Sequence, residues 1–173
     1  ARLTDFTSFA DAQAHAGTDA LWALFDGDRG ALNIAHECIV RHADGSGRAA
    51  VRIAHAGDSI VSARDEILSF DTIAAGAARF AHWLDAKGIK PGDRIAFMLE
   101  PSLPFYVCLF GAMLSGAISV PLFTLFGPDA LRLRIDDCAP RLLVTNAEKA
   151  PLAQAIDGLE VVVADNRLLA EIA

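Results

Sequence analysis

The chain is 173 residues long, with 53% hydrophobic residues and a formal net charge of −7. This length suits one domain and excludes two full-sized lobes. The hydrophobic fraction is too high for a disordered chain, so it predicts a large buried core or an apolar surface that meets a partner. The acidic charge, without any run of lysine or arginine, argues against nucleic-acid binding, which needs a concentrated basic face.

The N-terminal third of the chain contains weak helical patterns followed by a strand. A short helix is predicted over 8–15, and an irregular aromatic stretch follows around 22–25. Apolar residues near helical spacing predict a second helix over 32–42, which ends at the turn cluster 43–47. Residues 51–54 then have the pattern of a strand.

A second extended piece over 60–70 is predicted to pair antiparallel with that strand. Its middle, at 64–66, is charged and is expected to be irregular. Ser69 or Asp71 is expected to cap the next helix, which has one apolar stripe at helical spacing. Gly88 supplies the expected end of this helix.

Beyond this helix, strands and helices alternate regularly. The predicted order is a strand at 94–99, a helix from Ser102, a strand at 118–120, a helix opened by Pro128, a strand at 142–145, a short helix after Glu148, a strand at 161–163 and a last helical piece. Apolar strands that are separated by amphipathic helices require crossover connections. The pattern therefore predicts an α/β fold, with a partly parallel sheet flanked by helices and an antiparallel strand pair near residues 51–70.

One uncharged, apolar segment also fits a membrane protein. It covers 101–128, and its part from 103 to 126 is long enough in principle to span a bilayer. Gly111, Gly116 and Pro121 divide it into a helix-length piece and a short β-branched piece. We therefore favour a buried helix followed by a buried strand, with no membrane span. A membrane-associated protein that uses 103–126 stays as an alternative.

Short motifs with known chemistry are either absent or in the wrong context. Residues 45–50 satisfy the loose form of the dinucleotide fingerprint, but here a predicted helix enters the loop and a strand leaves it. A pyrophosphate site needs the opposite order, so an ordinary turn is predicted. No Walker lysine loop occurs, and no serine lies in a nucleophile elbow. The five histidines are scattered, so no metal site is expected.

The remaining charged and thiol residues are interpreted as structural. Asp136 and Asp137 follow Arg132 and Arg134 at spacings that favour ion pairs on a solvated helix face. The three cysteines are widely spaced and lack a CxxC pair. They are therefore interpreted as small buried apolar residues rather than as a disulfide framework or a zinc site.

Several segments carry the strongest information through their order and spacing. They are 32–42, 68–73 before an alanine-rich helix, 88–96, 114–122 and 123–145. Together they resemble the N-terminal region of the adenylate-forming acyl-CoA synthetases, in the superfamily of AMP-dependent synthetases and ligases. The last segment is similar to the branch that includes medium-chain and aryl carboxylate CoA ligases.

The resemblance implies a domain organisation and a chemistry. It covers about 31–166, so 1–30 would be an N-terminal extension and 31–173 a truncated N-terminal α/β domain of a synthetase. The family converts ATP and a carboxylate into an acyl-adenylate and pyrophosphate, and the CoA thiol then displaces AMP. Its phosphate loop, nucleotide contacts and catalytic lysine would lie downstream of Asn166. The implied protein is an N-terminal fragment, inactive and without catalytic residues, cofactor or metal of its own, whose parent uses ATP, Mg and CoA.

The resemblance also supplies one set of candidate site residues. In relatives that make CoA thioesters, the loop after the turn proline lies near the route of the pantetheine arm of CoA. Phe126, Gly127 and Pro128 are therefore candidate wall residues of a CoA channel. A structural bend is the alternative, since glycine before a helix and proline at its first position serve that purpose alone.

The partners implied are the rest of a synthetase chain and, in the parent, a carboxylic acid. Neither nucleic acid nor a membrane is expected as a partner. Sheet edges and helix faces exposed by truncation would favour self-association as a homo-oligomer. No secretory signal pattern is recognised, so a cytoplasmic location is expected. A stand-alone α/β binding or interaction module without catalysis stays as an alternative.

Overall fold

A four-stranded parallel sheet forms the centre of the fold in the computed structural model, which describes residues 6–55 and 64–172. The helices are α1 (Phe9–His15), α2 (Thr18–Trp22), α3 (Ile34–Cys38), α4 (Phe70–Ala86), α5 (Leu103–Leu114), α6 (Pro128–Cys138), α7 (Ala150–Gln154) and α8 (Asn166–Glu171), with a 3₁₀ helix at Val40–His42. The strands are β1 (Ala49–His55), β2 (Arg64–Ser69), β3 (Arg94–Met98), β4 (Ile118–Pro121), β5 (Leu142–Thr145) and β6 (Glu160–Val163). The predicted α/β fold is confirmed, and the four parallel strands lie within one residue of their predicted bounds.

The order of strands in the parallel sheet is β4-β3-β5-β6. Ile95 of β3 is level with Ser119 of β4 on one side and with Leu142 of β5 on the other. The chain leaves β3 for one neighbour, β4, and then crosses back to the other neighbour, β5. Because parallel crossovers are right-handed, this reversal places the connecting helices on opposite faces of the sheet.

Side chains of β3 and β5 alternate between two apolar layers. The first layer contains Ile95, Phe97, Leu142 and Val144 with residues of α4, α5 and α8, and the second contains Ala96, Met98 and Leu143 with residues of α6 and α7. All seven of these strand residues are fully buried. This two-sided burial is the reason that the central strands are continuously apolar in the sequence.

The antiparallel pair of β1 and β2 forms a separate two-stranded sheet, as predicted. The first part of the predicted second strand falls in 56–63, outside the described residues. The irregular middle expected at 64–66 is wrong, because these residues pair regularly and the register shift lies between Ala49 and Val51. Cross-strand contacts accommodate the charges in this stretch, since Arg52 pairs with Asp65 and His55 with Glu66.

The N-terminal helices differ from their predicted form. The first helix begins after Ser8 as predicted, but part of the stretch expected to be irregular at 22–25 belongs to α2. The helix predicted over 32–42 is divided at Ile39, whose backbone has φ −126° and ψ −60°. This break places the Ile39 side chain in the apolar cluster that also contains Ile53 and Leu68.

The buried side chain of Glu37 anchors the N-terminal segment to α3. Its carboxylate accepts hydrogen bonds from the backbone N–H groups of Asp26 (3.0 Å) and Gly27 (2.8 Å) and pairs with Arg41. Arg41 also donates to the carbonyl oxygen of Leu24, at 2.9 Å. Burial by itself raises the pKa of Glu37, but the hydrogen bonds from Gly27, Asp26 and Arg41 outweigh it and lower the pKa below its ordinary value.

The apolar segment at 103–126 forms a helix, a strand and a loop rather than one continuous helix. Its helix, α5, has 12 residues. A helix of that length measures about 18 Å, whereas the apolar core of a bilayer is about 30 Å thick. Across 6–55 and 64–172, no helix is long and apolar enough to cross a membrane.

Helices α4 and α5 approach closely at Gly111. A Cβ atom at this position would lie 2.8 Å from the carbonyl oxygen of Ala77 and 2.9 Å from Cβ of Phe80. Both neighbours belong to α4 and have little freedom to move. The close contact between α4 and α5, which lie on the same face of the sheet, therefore depends on glycine having no side chain at position 111.

We expect Gly111→Ala to lower the free energy of unfolding by about 1–3 kcal/mol, because the added methyl group overpacks the contact between α4 and α5. Urea denaturation followed by circular dichroism measures the change. Gly17→Ala is the matched control, since a Cβ at Gly17 meets nothing within 4 Å. Equal stability of the two variants would show that the helices separate at little cost.

The Glu37 anchor predicts a pH-dependent N-terminal segment. Because the folded pKa lies below the ordinary value of 4.5, the stabilisation is present above that value and is lost as the pH falls through the folded pKa. Amide hydrogen exchange at Asp26 and Gly27 should accelerate there beyond its intrinsic pH dependence. Glu37→Gln should show fast exchange already at neutral pH, whereas the exposed Glu148→Gln should not. Slow exchange in Glu37→Gln would contradict the anchor.

Candidate functional site

The loops that follow β3, β4 and β5 meet at the carboxyl edge of the parallel sheet. In open α/β sheets, ligands bind outside this edge, at the point where the strand order reverses. Here the reversal lies between β3 and β5. The loop after β4, residues 122–127, lies beside this point of reversal and leads into α6.

Two side-chain hydrogen bonds connect the ends of neighbouring strands. The fully buried hydroxyl of Thr145 donates to the carbonyl oxygen of Met98, at 2.9 Å, and so joins β5 to β3. The hydroxyl of Thr124, which is also buried, donates to the carboxylate of Glu100. The 122–127 loop is therefore attached to the end of β3.

The predicted site residues lie together where the 122–127 loop enters α6. Phe126 is half-buried and packs against the apolar layer that contains Leu131 and Ile135. Gly127 is the N-cap residue of α6 and Pro128 is its first residue. Both are exposed, and a Cβ on Gly127 would meet nothing within 4 Å.

Residues of the 122–127 loop alternate between exposed and covered positions. Phe123 is 60% exposed and Leu125 is 74% exposed, whereas Thr124 is buried and Phe126 is half-buried. Sequence reasoning missed Thr124 and its partner Glu100, because nothing in the local pattern connects two residues 24 positions apart. The alternation itself is hidden in a run of largely apolar residues.

The ion pairs predicted on α6 do not form. Among the described residues, Arg132 and Arg134 make no salt bridge to Asp136 or Asp137. The Arg134 guanidinium lies 3.9 Å from the centre of the Phe126 ring and donates to the carbonyl oxygen of Ala130, at 2.9 Å. The Arg134 side chain therefore reaches back over the first turn of α6 to the preceding loop and does not extend toward the two aspartates.

Comparison with known proteins identifies the family. Residues 47–171 match the family of AMP-binding enzymes. The chain belongs to this family. It is 34% identical to an acetyl-coenzyme A synthetase of Novosphingobium aromaticivorans over 74% of its own length, but it spans only 20% of that enzyme.

Solved structures agree with the family and the fold. An acyl-CoA synthetase of Brucella canis superposes on 93% of the chain with a TM-score of 0.78 and 28% identity, and the chain covers 29% of it. An anthranilate CoA ligase bound to anthranoyl-AMP superposes on 57% with a TM-score of 0.54 and 27% identity, and the chain covers 20% of it. The predicted family is confirmed, whereas the medium-chain or aryl branch is narrower than these relatives support.

The glycine-rich turn at 45–50 is not shaped for nucleotide phosphates. The backbone N–H groups of Gly45 and Gly47 both donate to the carboxylate of Asp71, at 2.8 Å each. Gly45 and Gly47 have φ of +80° and +69°, which glycine adopts readily. The predicted ordinary turn is confirmed, because an internal carboxylate already occupies the donors that a phosphate would need.

The three cysteines of the chain differ in exposure. Cys108 is fully buried, and burial raises the pKa of its thiol to about 12. Cys138 is partly exposed, and desolvation is the main cause of its raised pKa. Cys38 is exposed, so its interpretation as a buried residue is wrong. The reason is that α3 turns Ala35 and Glu37 toward the protein instead.

We expect thiol reagents to modify Cys38 first at neutral pH, because Cys38 is exposed, whereas burial raises the pKa of the Cys108 thiol. Cys108 should react only after unfolding. A colorimetric disulfide reagent measures the number of fast and slow thiols, and Cys38→Ser should remove the fast phase. Modification of Cys108 in the folded protein, detected by mass spectrometry, would contradict the burial of α5.

Proposed function

We propose that the protein is the N-terminal part of an ATP-dependent acyl-CoA synthetase. The observation that carries the proposal is the superposition of 93% of the chain on an acyl-CoA synthetase with a TM-score of 0.78. The complete enzyme would form an acyl-adenylate from a carboxylate and ATP with release of pyrophosphate. The thiol of CoA would then attack the acyl carbonyl and release AMP.

Within such an enzyme, residues 1–30 would be an N-terminal extension and 31–173 the first part of the large domain. The chain by itself is proposed to be catalytically inactive. Transfer of a nucleotidyl group needs fixed donors and cations around the phosphates. The glycine-rich turn offers its amides to Asp71, and the described residues contain no cluster of carboxylate, histidine and cysteine side chains suited to a metal ion.

The rest of the synthetase chain is the proposed partner of this segment. The relatives are much longer, since the chain spans 20% of the acetyl-coenzyme A synthetase and 29% of the acyl-CoA synthetase described above. Exposed apolar side chains at Phe123, Leu125 and Leu133 are suited to meet further protein. A carboxylic acid is the proposed substrate.

Phe126, Gly127 and Pro128 are proposed to line the route of CoA. Two features support this role. The residues lie at the carboxyl edge of the sheet, beside the strand-order reversal, and the space around Gly127 is open. An extended chain such as pantetheine needs an open surface of this kind along which it can lie. These residues would guide the thiol arm and take no part in bond making or breaking.

The proposal predicts activity for a complete polypeptide and none for these 173 residues. ATP–pyrophosphate exchange with acetate, octanoate, benzoate and anthranilate measures the adenylation half-reaction. We expect exchange from the polypeptide encoded by the whole reading frame and none above a no-enzyme blank from residues 1–173. Exchange by residues 1–173 would contradict the inactivity of the fragment. If the complete polypeptide forms neither acyl-adenylate nor thioester, the synthetase proposal is wrong.

A further inference from the structure

The Arg134 side chain of α6 stacks on the ring of Phe126 in the preceding loop. The guanidinium carbon lies 3.9 Å from the ring centre, well inside the distance of a cation–π contact. The side chain also reaches back toward Ala130, near the N-terminal end of α6. The guanidinium therefore has two defined neighbours near the start of α6, the Ala130 carbonyl oxygen and the Phe126 ring.

The same contact is one of several attachments of the 122–127 loop, which also include the apolar packing of Leu122 and Phe126 and the bond from the Leu122 N–H to the Phe97 carbonyl oxygen. Thr124 attaches the first half of the loop to Glu100 at the end of β3, and Phe126 attaches the second half to Arg134 on α6. Between them, the Phe126 N–H donates to the carbonyl oxygen of Phe123, at 3.2 Å, and closes a turn. The path of the loop is set on both sides by side chains outside it.

We propose that Arg134 is a positioning residue for CoA, which acts through Phe126 by holding the 122–127 loop in place. This inference rests on the proposed function, because it takes Phe126–Pro128 as the wall of the CoA route. If the stack is lost, the Phe126 ring keeps only its apolar packing and its edge contact with Phe123, which restrain it less. The pantetheine arm would then meet a less ordered wall.

Arginine is required for this role by its shape as well as its charge. Its guanidinium is planar and stacks on an aromatic face, whereas a lysine ammonium is a compact, strongly hydrated charge. A direct contact between Arg134 and a phosphate of CoA would depend mainly on charge. Arg134→Lys therefore separates positioning through Phe126 from direct electrostatic binding.

The test uses the complete polypeptide with the variants Arg134→Ala, Arg134→Lys, Phe126→Leu and the double variant Arg134→Lys/Phe126→Leu. Arg132→Ala is the matched control, because Arg132 is on the same helix and contacts the carbonyl oxygen of Ala155, away from the loop. The measurements are KM for CoA in thioester formation, the rate of ATP–pyrophosphate exchange without CoA, and amide hydrogen exchange at Phe126.

We expect Arg134→Ala, Arg134→Lys and Phe126→Leu each to raise KM for CoA roughly three- to fivefold. This factor corresponds to the loss of one exposed cation–π contact. Pyrophosphate exchange should fall by a smaller factor, and Arg132→Ala should match the original protein. The double variant should be no worse than either single one, because both changes remove the same contact. Amide hydrogen exchange at Phe126 should accelerate in every variant of Arg134 or Phe126 and stay unchanged in Arg132→Ala. If Arg134→Ala does not fold, Arg134→Lys and Phe126→Leu decide the question.

Three results would overturn the inference. Near-normal KM in Arg134→Lys, with normal KM in Phe126→Leu, would assign Arg134 to direct charge contact. Additive effects in the double variant would show that the two residues act separately. Unchanged KM in every variant of a polypeptide that still exchanges pyrophosphate would refute positioning and leave the synthetase proposal intact. A complete polypeptide without exchange or thioester formation would refute both.

Discussion

Burial of both faces of β3 and β5 is the constraint on which the rest of the structure depends. Every residue from Ile95 to Met98 is fully buried, so each face of the sheet must be covered by helices. Right-handed crossovers place α5 on one face and α6 with α7 on the other. The loops that leave β3 and β5 therefore diverge, and an accessible edge opens where their carboxyl ends lie.

The accessible edge combines a firmly attached frame with exposed apolar side chains. Thr145, Thr124 and Arg134 each connect two elements through a hydrogen bond or a stacked ring. Between these attachments, Phe123 and Leu125 face outward at 60% and 74% exposure. A loop that is ordered but not covered is suited to contact something outside this segment, such as a ligand or further protein. The proposed CoA route uses this combination.

Prediction from the sequence succeeded where a local pattern was compatible with only one secondary structure. The strand at 142–145 and the cap at Ser69 are confirmed because apolar continuity and helix capping act over a few residues. It failed where a distant partner decided the outcome. The α3 helix stops early because Ile39 enters a cluster with β1 and β2, and Arg134 leaves the aspartates of its own helix for an aromatic ring on the preceding loop.

The sequence by itself determined the alternation of strands and helices, the parallel sheet and the family resemblance, because periodicity, caps and motif order are read within short windows. The tertiary structure alone decided which side chains meet at the carboxyl edge. Glu100, Thr124 and Arg134 come from separate elements, and only the reversal of strand order brings their loops together. Hydrogen bonds and ring stacking act over a few ångströms, so chain folding and not sequence spacing selects these partners.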